Sequence, residues 1–377
     1  MAVTGEPDPF DLDSVDSGLL DCIQANLAVL ADHHHGPGTY LRLGAPLAFR
    51  SWERADGLPT VDPPLTQQLR VAPELLGLRV IRQERMAAHD LFAELRAGGG
   101  VRYVVADSFT LPWLPYHGHA HMEHSFLLAA GAGGWHLTDA YLSETSWGPA
   151  RPGRWTLPEE DLAGIGEADV VELAAMDSGA LPAPTLSMAD ADVAAYLDAY
   201  DACADRARAV EQLTVETWLL ARTRKLHARY RAHVAGRAEA TEAERAHLRA
   251  WDTVVEQTYL AHRRVSRGRA EPPGIVARLR DVLAADPEVF GAPSTAAPAA
   301  PDEALRHRVA AVAGAVLGVD GAELLGGAPF DTFASFSSFR LIEIIERVES
   351  ELGRELDADA LVPENLRRVD DLCRIAR

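Results

Sequence analysis

His124-Ser-Phe-Leu-Leu-Ala-Ala-Gly-Ala-Gly-Gly-Trp-His-Leu-Thr-Asp139 carries two short strand-forming segments, 125–130 and 135–138, on either side of Gly-Ala-Gly-Gly. Glycine takes positive φ without steric cost, so small residues between two such segments predict a β-hairpin. Upstream, 78–83 and 102–106 also read as strands and flank a helical stretch at 87–97. Further back, 20–31 is an apolar helix that stops at His-His-His-Gly. A helix followed by a sheet gives an α+β class to the first part of the chain.

Downstream of 187 the pattern becomes almost wholly helical, with long runs at 195–235 and 242–267 and apolar residues at three and four spacing. Around 286–302 the composition shifts to Pro and Ala, which cannot bury a core and reads as a linker. Extended as polyproline II at ~3.1 Å per residue, the stretch from Ala292 would span roughly 35 Å, enough for a terminal domain to swing. Beyond it, 303–317 and 338–352 are amphipathic helices, a short turn lies near 359–362, and 366–375 is a last helix. The layout is therefore a mixed domain at 1–182, a helical domain at 183–290, a linker at 291–302 and a four-helix bundle at 303–377.

The chain has 377 residues, with 36 basic against 56 acidic side chains and a net charge of −20. Nucleic-acid binding needs a clustered positive surface, so no nucleic-acid partner is expected. Three cysteines without a Cys-x-x-Cys pair argue for a reducing compartment rather than a disulfide framework. The N-terminus has neither a basic start nor an apolar core, and no apolar run reaches membrane-spanning length, which reads as cytoplasmic with no membrane partner.

Within the terminal bundle, Phe333-Ala-Ser-Phe-Ser-Ser-Phe-Arg-Leu-Ile-Glu-Ile-Ile-Glu-Arg-Val-Glu349 resembles the acyl and peptidyl carrier protein family. The resemblance implies a 4'-phosphopantetheine arm attached to Ser338 by a phosphopantetheinyl transferase, with acyl groups carried as thioesters. Ser337 stands where the family usually has Asp, and Phe339 where it usually has Leu. A helix start favours a phosphodiester's charge, although any Ser there can simply cap the helix. Ser335 and Ser337 are weaker attachment points.

Asp21-Cys22-Ile-Gln-Ala-Asn places a cysteine at the beginning of a helix, where the dipole is expected to lower a thiol pKa. His124 opens one strand of the hairpin and Asp139 closes the other, so a carboxylate can orient an imidazole across adjacent antiparallel strands. Cys22, His124 and Asp139 are thus a candidate nucleophile, base and orienting group. The arrangement, together with 22–36, Leu43-Gly-Ala-Pro-Leu-Ala-Phe49 and Val104-Val-Ala-Asp-Ser-Phe-Thr-Leu-Pro-Trp113, resembles the papain-like N-terminal domain of the butirosin biosynthesis protein H family. That resemblance implies a papain-like fold and an acyltransferase of secondary-metabolite, including antibiotic, biosynthesis. Such an enzyme moves an acyl group from a carrier thioester onto Cys22 and then to an amine of a small-molecule acceptor. The acyl-loaded carrier is either the chain's own terminal domain or a separate protein. The Cys22 backbone N–H is one oxyanion donor; Ser17, a backbone amide or Gln24 are candidates for the second.

Three other readings use the same residues. With water or a carbon acceptor, the triad gives a thioesterase or cyclase. His117-Gly-His-Ala-His-Met-Glu-His124 approximates a zinc-hydrolase run, with Glu where Asp is usual and no later ligand set evident. A carrier scaffold with a retired triad would be non-catalytic. Asp107 is a candidate substrate contact or turn cap; Trp113, Tyr116 and Trp135 are candidate pocket or core residues; His33, His34 and His35 read as helix-end groups. Arg222, Arg224, Lys225, Arg229 and Arg231 form a positive run expected to receive the acidic carrier helix bearing Glu343, Glu346 and Glu349. Cys203 and Cys373 read as structural.

Overall fold

A computed structural model describes residues 10–54, 57–98, 100–176, 181–190, 193–291, 303–333, 335–353, 356 and 366–376. The chain divides into two compact units, residues 1–231 with 241–292, and residues 232–240 with 293–377. The described fold is mixed α+β.

The first unit is organised around α1 (Cys22–His35). Asp21 caps it by accepting the Ile23 and Gln24 N–H groups, and Gln24 returns a bond to the Asp21 N–H, which closes a capping box. Gly36 ends it at φ 96°. Apart from Gln24, every residue from Cys22 to Asp32 is buried, as expected of a helix apolar all round.

After α1 come the short strands β1 (Pro46–Phe49), β2 (Trp52–Glu53) and β3 (Pro59–Thr60), then α2 (Leu65–Leu76), β4 (Leu78–Ala87) and α3 (Ala88–Arg96). The sheet continues with β5 (Arg102–Asp107), β6 (Glu123–Gly131) and β7 (Gly134–Asp139). Next are β8 (Ser143–Thr145), β9 (Gly148–Ala150), β10 (Gly153–Leu157), α4 (Glu159–Leu162), β11 (Glu167–Ala175) and β12 (Ser187–Asp190). Strands β10, β7, β6, β5, β11 and β4 form one sheet in that order, every neighbouring pair antiparallel. The expected hairpin is β6–β7, with Leu127 opposite Thr138 and Gly131 opposite Gly134. Gly134 sits at φ 149°, and a Cβ there would lie 2.5 Å from the Leu157 carbonyl oxygen, so the turn requires glycine.

Both faces of the sheet are covered. Tyr103, Val105 and Leu127 face the core built on α1, whereas Val104, Phe126 and Leu128 face a second core with α3. This explains why β5 reads as a continuous apolar run rather than an alternation.

Four helices complete this unit: α5 (Val193–Ala202), α6 (Arg206–Val234), α7 (Glu242–Val265) and α8 (Ile275–Phe290). The expected run from 195 breaks between α5 and α6. The boundary expected at 182/183 falls inside the unit, because Leu226 and Tyr230 of α6 share the α1 core, and Phe49 and Leu58 share the core of α5 to α8. Gly44 marks the tightest seam: a Cβ there would lie 2.5 Å from the Leu226 carbonyl oxygen.

The second unit contains α9 (Glu303–Leu317), α10 (Gly321–Leu325), α11 (Ser338–Leu352) and α12 (Val369–Ile375). Their core includes Val309, Ala313, Val316, Leu324, Phe330, Ile344, Val348 and Leu372. Helix α10 falls in a segment expected to be loop. Residues 286–290 of the Pro/Ala stretch read as linker are the end of α8; the linker expected at 291–302, apart from Gly291, and the turn at 359–362 lie outside the described residues. Among the described residues no helix is long and apolar enough to cross a membrane.

Candidate active site

Cys22 is the first residue of α1, and two hydroxyl groups hold that helix start against the sheet. Ser125 Oγ donates to the Cys22 carbonyl at 2.5 Å, and Tyr103 Oη donates to the Ile23 carbonyl at 2.9 Å. The Cys22 thiol in turn donates to the Glu123 carbonyl at 3.3 Å, the backbone group next to His124.

His124 and Asp139 are 0% and 1% exposed, and His124 Nε2 lies 2.7 Å from Asp139 Oδ2. The same carboxylate accepts Trp113 Nε1–H at 2.9 Å, the Tyr141 N–H at 2.9 Å and Asn26 Nδ2–H at 3.3 Å. Burial alone would raise the Asp139 pKa; the charge and hydrogen bond of His124, with those from Tyr141 and Trp113, outweigh it and hold the carboxyl below its ordinary value. The carboxylate therefore stays ionised while it fixes the ring. The other ring nitrogen, His124 Nδ1, is buried and has no hydrogen-bond partner among the described residues. Tyr141 meets the ring edge-on at 5.1 Å between centroids. The structure thus brings Cys22, His124 and Asp139 to one junction of α1, β6 and β7.

The expectation of a lowered thiol pKa is corrected. Burial, then the negative charges of Asp21, Asp62 and Asp139, push the Cys22 thiol well above its ordinary value, and its own N–H at the helix start offsets only part of this. The resting group is a thiol. Burial lifts Asp21 to about 6, against the Gln24 and Ile23 N–H bonds and the charge of Arg222, which pull it down. Asp62 rises to about 7 through desolvation and then the charges of Asp21, Glu216 and Glu123.

Two contributors were missed from sequence. Asn26, fully buried one turn beyond Cys22, donates to the Ser125 carbonyl at 2.9 Å and accepts the Ala140 N–H at 2.9 Å, so it ties the helix to both hairpin strands. The signal was its i+4 spacing from Cys22. Trp113, read as pocket or core, holds Asp139 through its indole N–H.

The remaining candidates divide. Gln24 accepts the Asp21 N–H through Oε1 in the capping box. Ser17 is buried with its hydroxyl unpartnered among the described residues. Asp107 caps the turn after β5 by accepting the Phe109 N–H and pairs with His121 Nδ1 at 2.6 Å. Tyr116 Oη lies 3.2 Å from Tyr141 Oη, and Trp135 stacks on Phe92 in the core. His35 bonds the Gly77 carbonyl rather than its own helix end. The histidine run is split: His119 stacks on Trp147, His121 takes Asp107, and His124 takes Asp139. Among the described residues no group of three or more His, Cys, Asp or Glu side chains is placed to hold a metal ion.

The basic run on α6 does not form a docking surface. Arg224 is 1% exposed and bonds Asp286 Oδ2 through Nη2 at 2.6 Å, and Arg231 is buried against Glu244. Arg222 donates to the Ser17, Leu20 and Leu142 carbonyls, and Lys225 pairs with Asp252. Only Arg229 of the five is exposed. Basic residues on one helix read as a solvated stripe, but this helix is packed on several sides. Cys203 donates to the Asp205 carbonyl, and Cys373 is buried in the core of the second unit.

Ser338 is the first residue of α11, after Ser337, whose Oγ accepts the Arg340 N–H at 3.3 Å. The capping role considered for Ser338 thus belongs to Ser337. Its neighbours Ser337 and Phe339 are exposed, Phe339 at 85%. No family model matches the chain, and no curated protein shows significant similarity to it.

Proposed function

We propose that the protein is a cysteine acyltransferase acting on carrier-bound thioesters, with a papain-like catalytic domain and a terminal carrier domain. The observation that carries this reading is the buried His124–Asp139 pair, whose remaining ring nitrogen has no partner among the described residues, with the Cys22 thiol bonded to the carbonyl of Glu123, the residue before His124. An imidazole fixed through Nε2 by a carboxylate has Nδ1 available as the base.

In the first half-reaction His124 takes the Cys22 proton as the sulfur attacks the thioester carbonyl. The carbon–sulfur bond to the donor breaks, and His124 returns that proton to the departing thiol. An acceptor amine then attacks acyl-Cys22, gives its proton to His124, and leaves as an amide while Cys22 regains its thiol. The Cys22 backbone N–H and the Ser17 hydroxyl are the donors assigned to the oxyanion; a buried hydroxyl without a partner among the described residues is a costly group that a transient oxyanion would satisfy. The raised thiol pKa suits this scheme, because proton removal is then coupled to attack rather than preceding it.

The accessible start of α11 fits attachment of 4'-phosphopantetheine at Ser338 by a phosphopantetheinyl transferase. When bound, that group supplies a terminal thiol that carries an acyl chain.

Intact-protein mass spectrometry tests both halves. Incubation with an acyl N-acetylcysteamine thioester is expected to add one acyl mass, absent in Cys22→Ala and retained in Ser338→Ala. Phosphopantetheinylation is expected to be lost only in Ser338→Ala. An acyl adduct that persists in Cys22→Ala overturns the catalytic assignment.

A further inference from the structure

Around the start of α1 the first unit encloses a cavity of ≈ 320 Å³, within the range of small-molecule sites. Asp21 and Gln24, one residue before and two after Cys22, line it at the α1 end, and Leu27, Leu75 and Leu219 supply apolar wall. Arg224 of α6 lines it, paired with Asp286, and so do two further cations, Arg50 after β1 and Arg70 on α2. Both are exposed, and neither has a hydrogen-bond or ion-pair partner among the described residues. This differs from the arginines of α6, which are tied to carboxylates and carbonyls.

The cavity thus joins three chemistries in one space: an end at the helix start that bears Cys22, a mainly apolar middle, and two guanidinium groups that have no counter-ion among the described residues, in a chain of net charge −20. Guanidinium groups without a carboxylate partner are suited to a phosphate, which they bind through paired N–H donors. Gln67 adds a side-chain amide to the lining, matching a ligand that carries amides between its ends.

We propose that this cavity receives the 4'-phosphopantetheine arm of the donor thioester, with Arg50 and Arg70 holding its phosphate and the arm running toward Cys22. The inference rests on the acyl-Cys22 reading for its thioester end and replaces the α6 run as the origin of donor recognition. Specificity for a carrier-borne or coenzyme-borne donor over a short thioester then comes from the phosphate.

Calorimetry on the full chain carrying Cys22→Ser, with free 4'-phosphopantetheine and with pantetheine as probes, tests this without turnover. The phosphorylated probe is expected to bind about tenfold more tightly. That preference should vanish in Arg50→Ala/Arg70→Ala and persist in part in Arg50→Lys/Arg70→Lys, with an unchanged Tm in each confirming the fold. Equal binding of the two probes, no binding of either, or a preference that survives the double alanine variant overturns the proposal. Acylation of wild type by an N-acetylcysteamine thioester, which has no phosphate, reports on the cysteine reading separately. Acylation without phosphate preference sinks only the cavity assignment; phosphate preference without acylation sinks the catalytic reading and leaves the cavity as a phosphopantetheine site.

Discussion

Asn26 and Asp139 lie 113 positions apart, yet the amide of one donates to the carboxylate of the other at 3.3 Å. The same amide accepts the Ala140 N–H at 2.9 Å, so one side chain sets both the height of α1 over the hairpin and the direction of the Asp139 oxygens. Replacing Asn26 with Ala leaves the Ala140 N–H unsatisfied in a buried site, which costs about 1–3 kcal/mol. Urea unfolding should show that loss. Alkylation of Cys22 by iodoacetamide should show a displaced pH profile, because His124 loses part of what holds it. A stability loss with an unaltered alkylation profile would reduce Asn26 to packing alone.

Asp62 offers a test of the electrostatics around the thiol. Its folded pKa of about 7 lies above the ordinary 3.8, so the folded chain holds an extra proton between those values. Stability contributed by this group therefore falls as pH rises from about 4 to 7, and its charge is a penalty above that range. Asp62→Asn should be more stable than the parent near pH 8, with the difference closing toward pH 4. Removing the charge also removes one of the carboxylates that raise the Cys22 pKa, so alkylation near pH 8 should accelerate several-fold. An unchanged rate would show that burial alone sets the thiol.

The hairpin, the order of helix and sheet, and both long terminal helices were legible because each rests on local signals: period, glycine, and caps. Helix α9 and helix α11 occur at the expected bounds for that reason. What was not legible depends on three-dimensional packing. Nothing in 206–234 distinguishes an arginine facing water from one facing Asp286, and the thiol's surroundings include Asp62, forty positions away. The N–H at the helix start does pull the Cys22 pKa down, but desolvation and three carboxylates outweigh one helix end. The merging of the helical region with the α1 core was equally hidden, since it depends on Gly44 letting the Leu226 backbone approach.

That packing predicts the behaviour of Arg224. Asp286 accepts from Arg224 and Trp251 and pairs with His247 at 2.7 Å, all of them buried. Asp286→Ala strands a guanidinium in the core, and loss of one member of a buried pair costs about 3–5 kcal/mol. Arg224→Glu should fail for the same reason, with two carboxylates facing each other. Thermal unfolding of both variants is expected to show large drops in Tm; a small drop would return Arg224 to the list of surface docking residues.

His227 gives the pH dependence its sharpest handle. It lies on α6 with Nδ1 2.6 Å from the Gly44 carbonyl oxygen, and burial, with Arg231 and Arg224 nearby, lowers its pKa from 6.5 to about 4 despite that bond. The folded chain thus holds the neutral ring between pH 6.5 and 4, where the unfolded chain takes up a proton. Stability contributed here is present above 6.5 and lost as pH falls toward 4, by up to about 3 kcal/mol. Asp21 and Asp32, both lifted to about 6, contribute the opposite slope, so the parent's net dependence mixes the two signs. His227→Gln keeps an N–H donor near the carbonyl and cannot titrate, which leaves the carboxylate contribution alone. Urea midpoints at three pH values across the window should therefore show the variant gaining on the parent as pH falls, by the equivalent of one proton. Parallel pH profiles would mean that His227 is protonated in the folded chain and that the seam at Gly44 admits its charge.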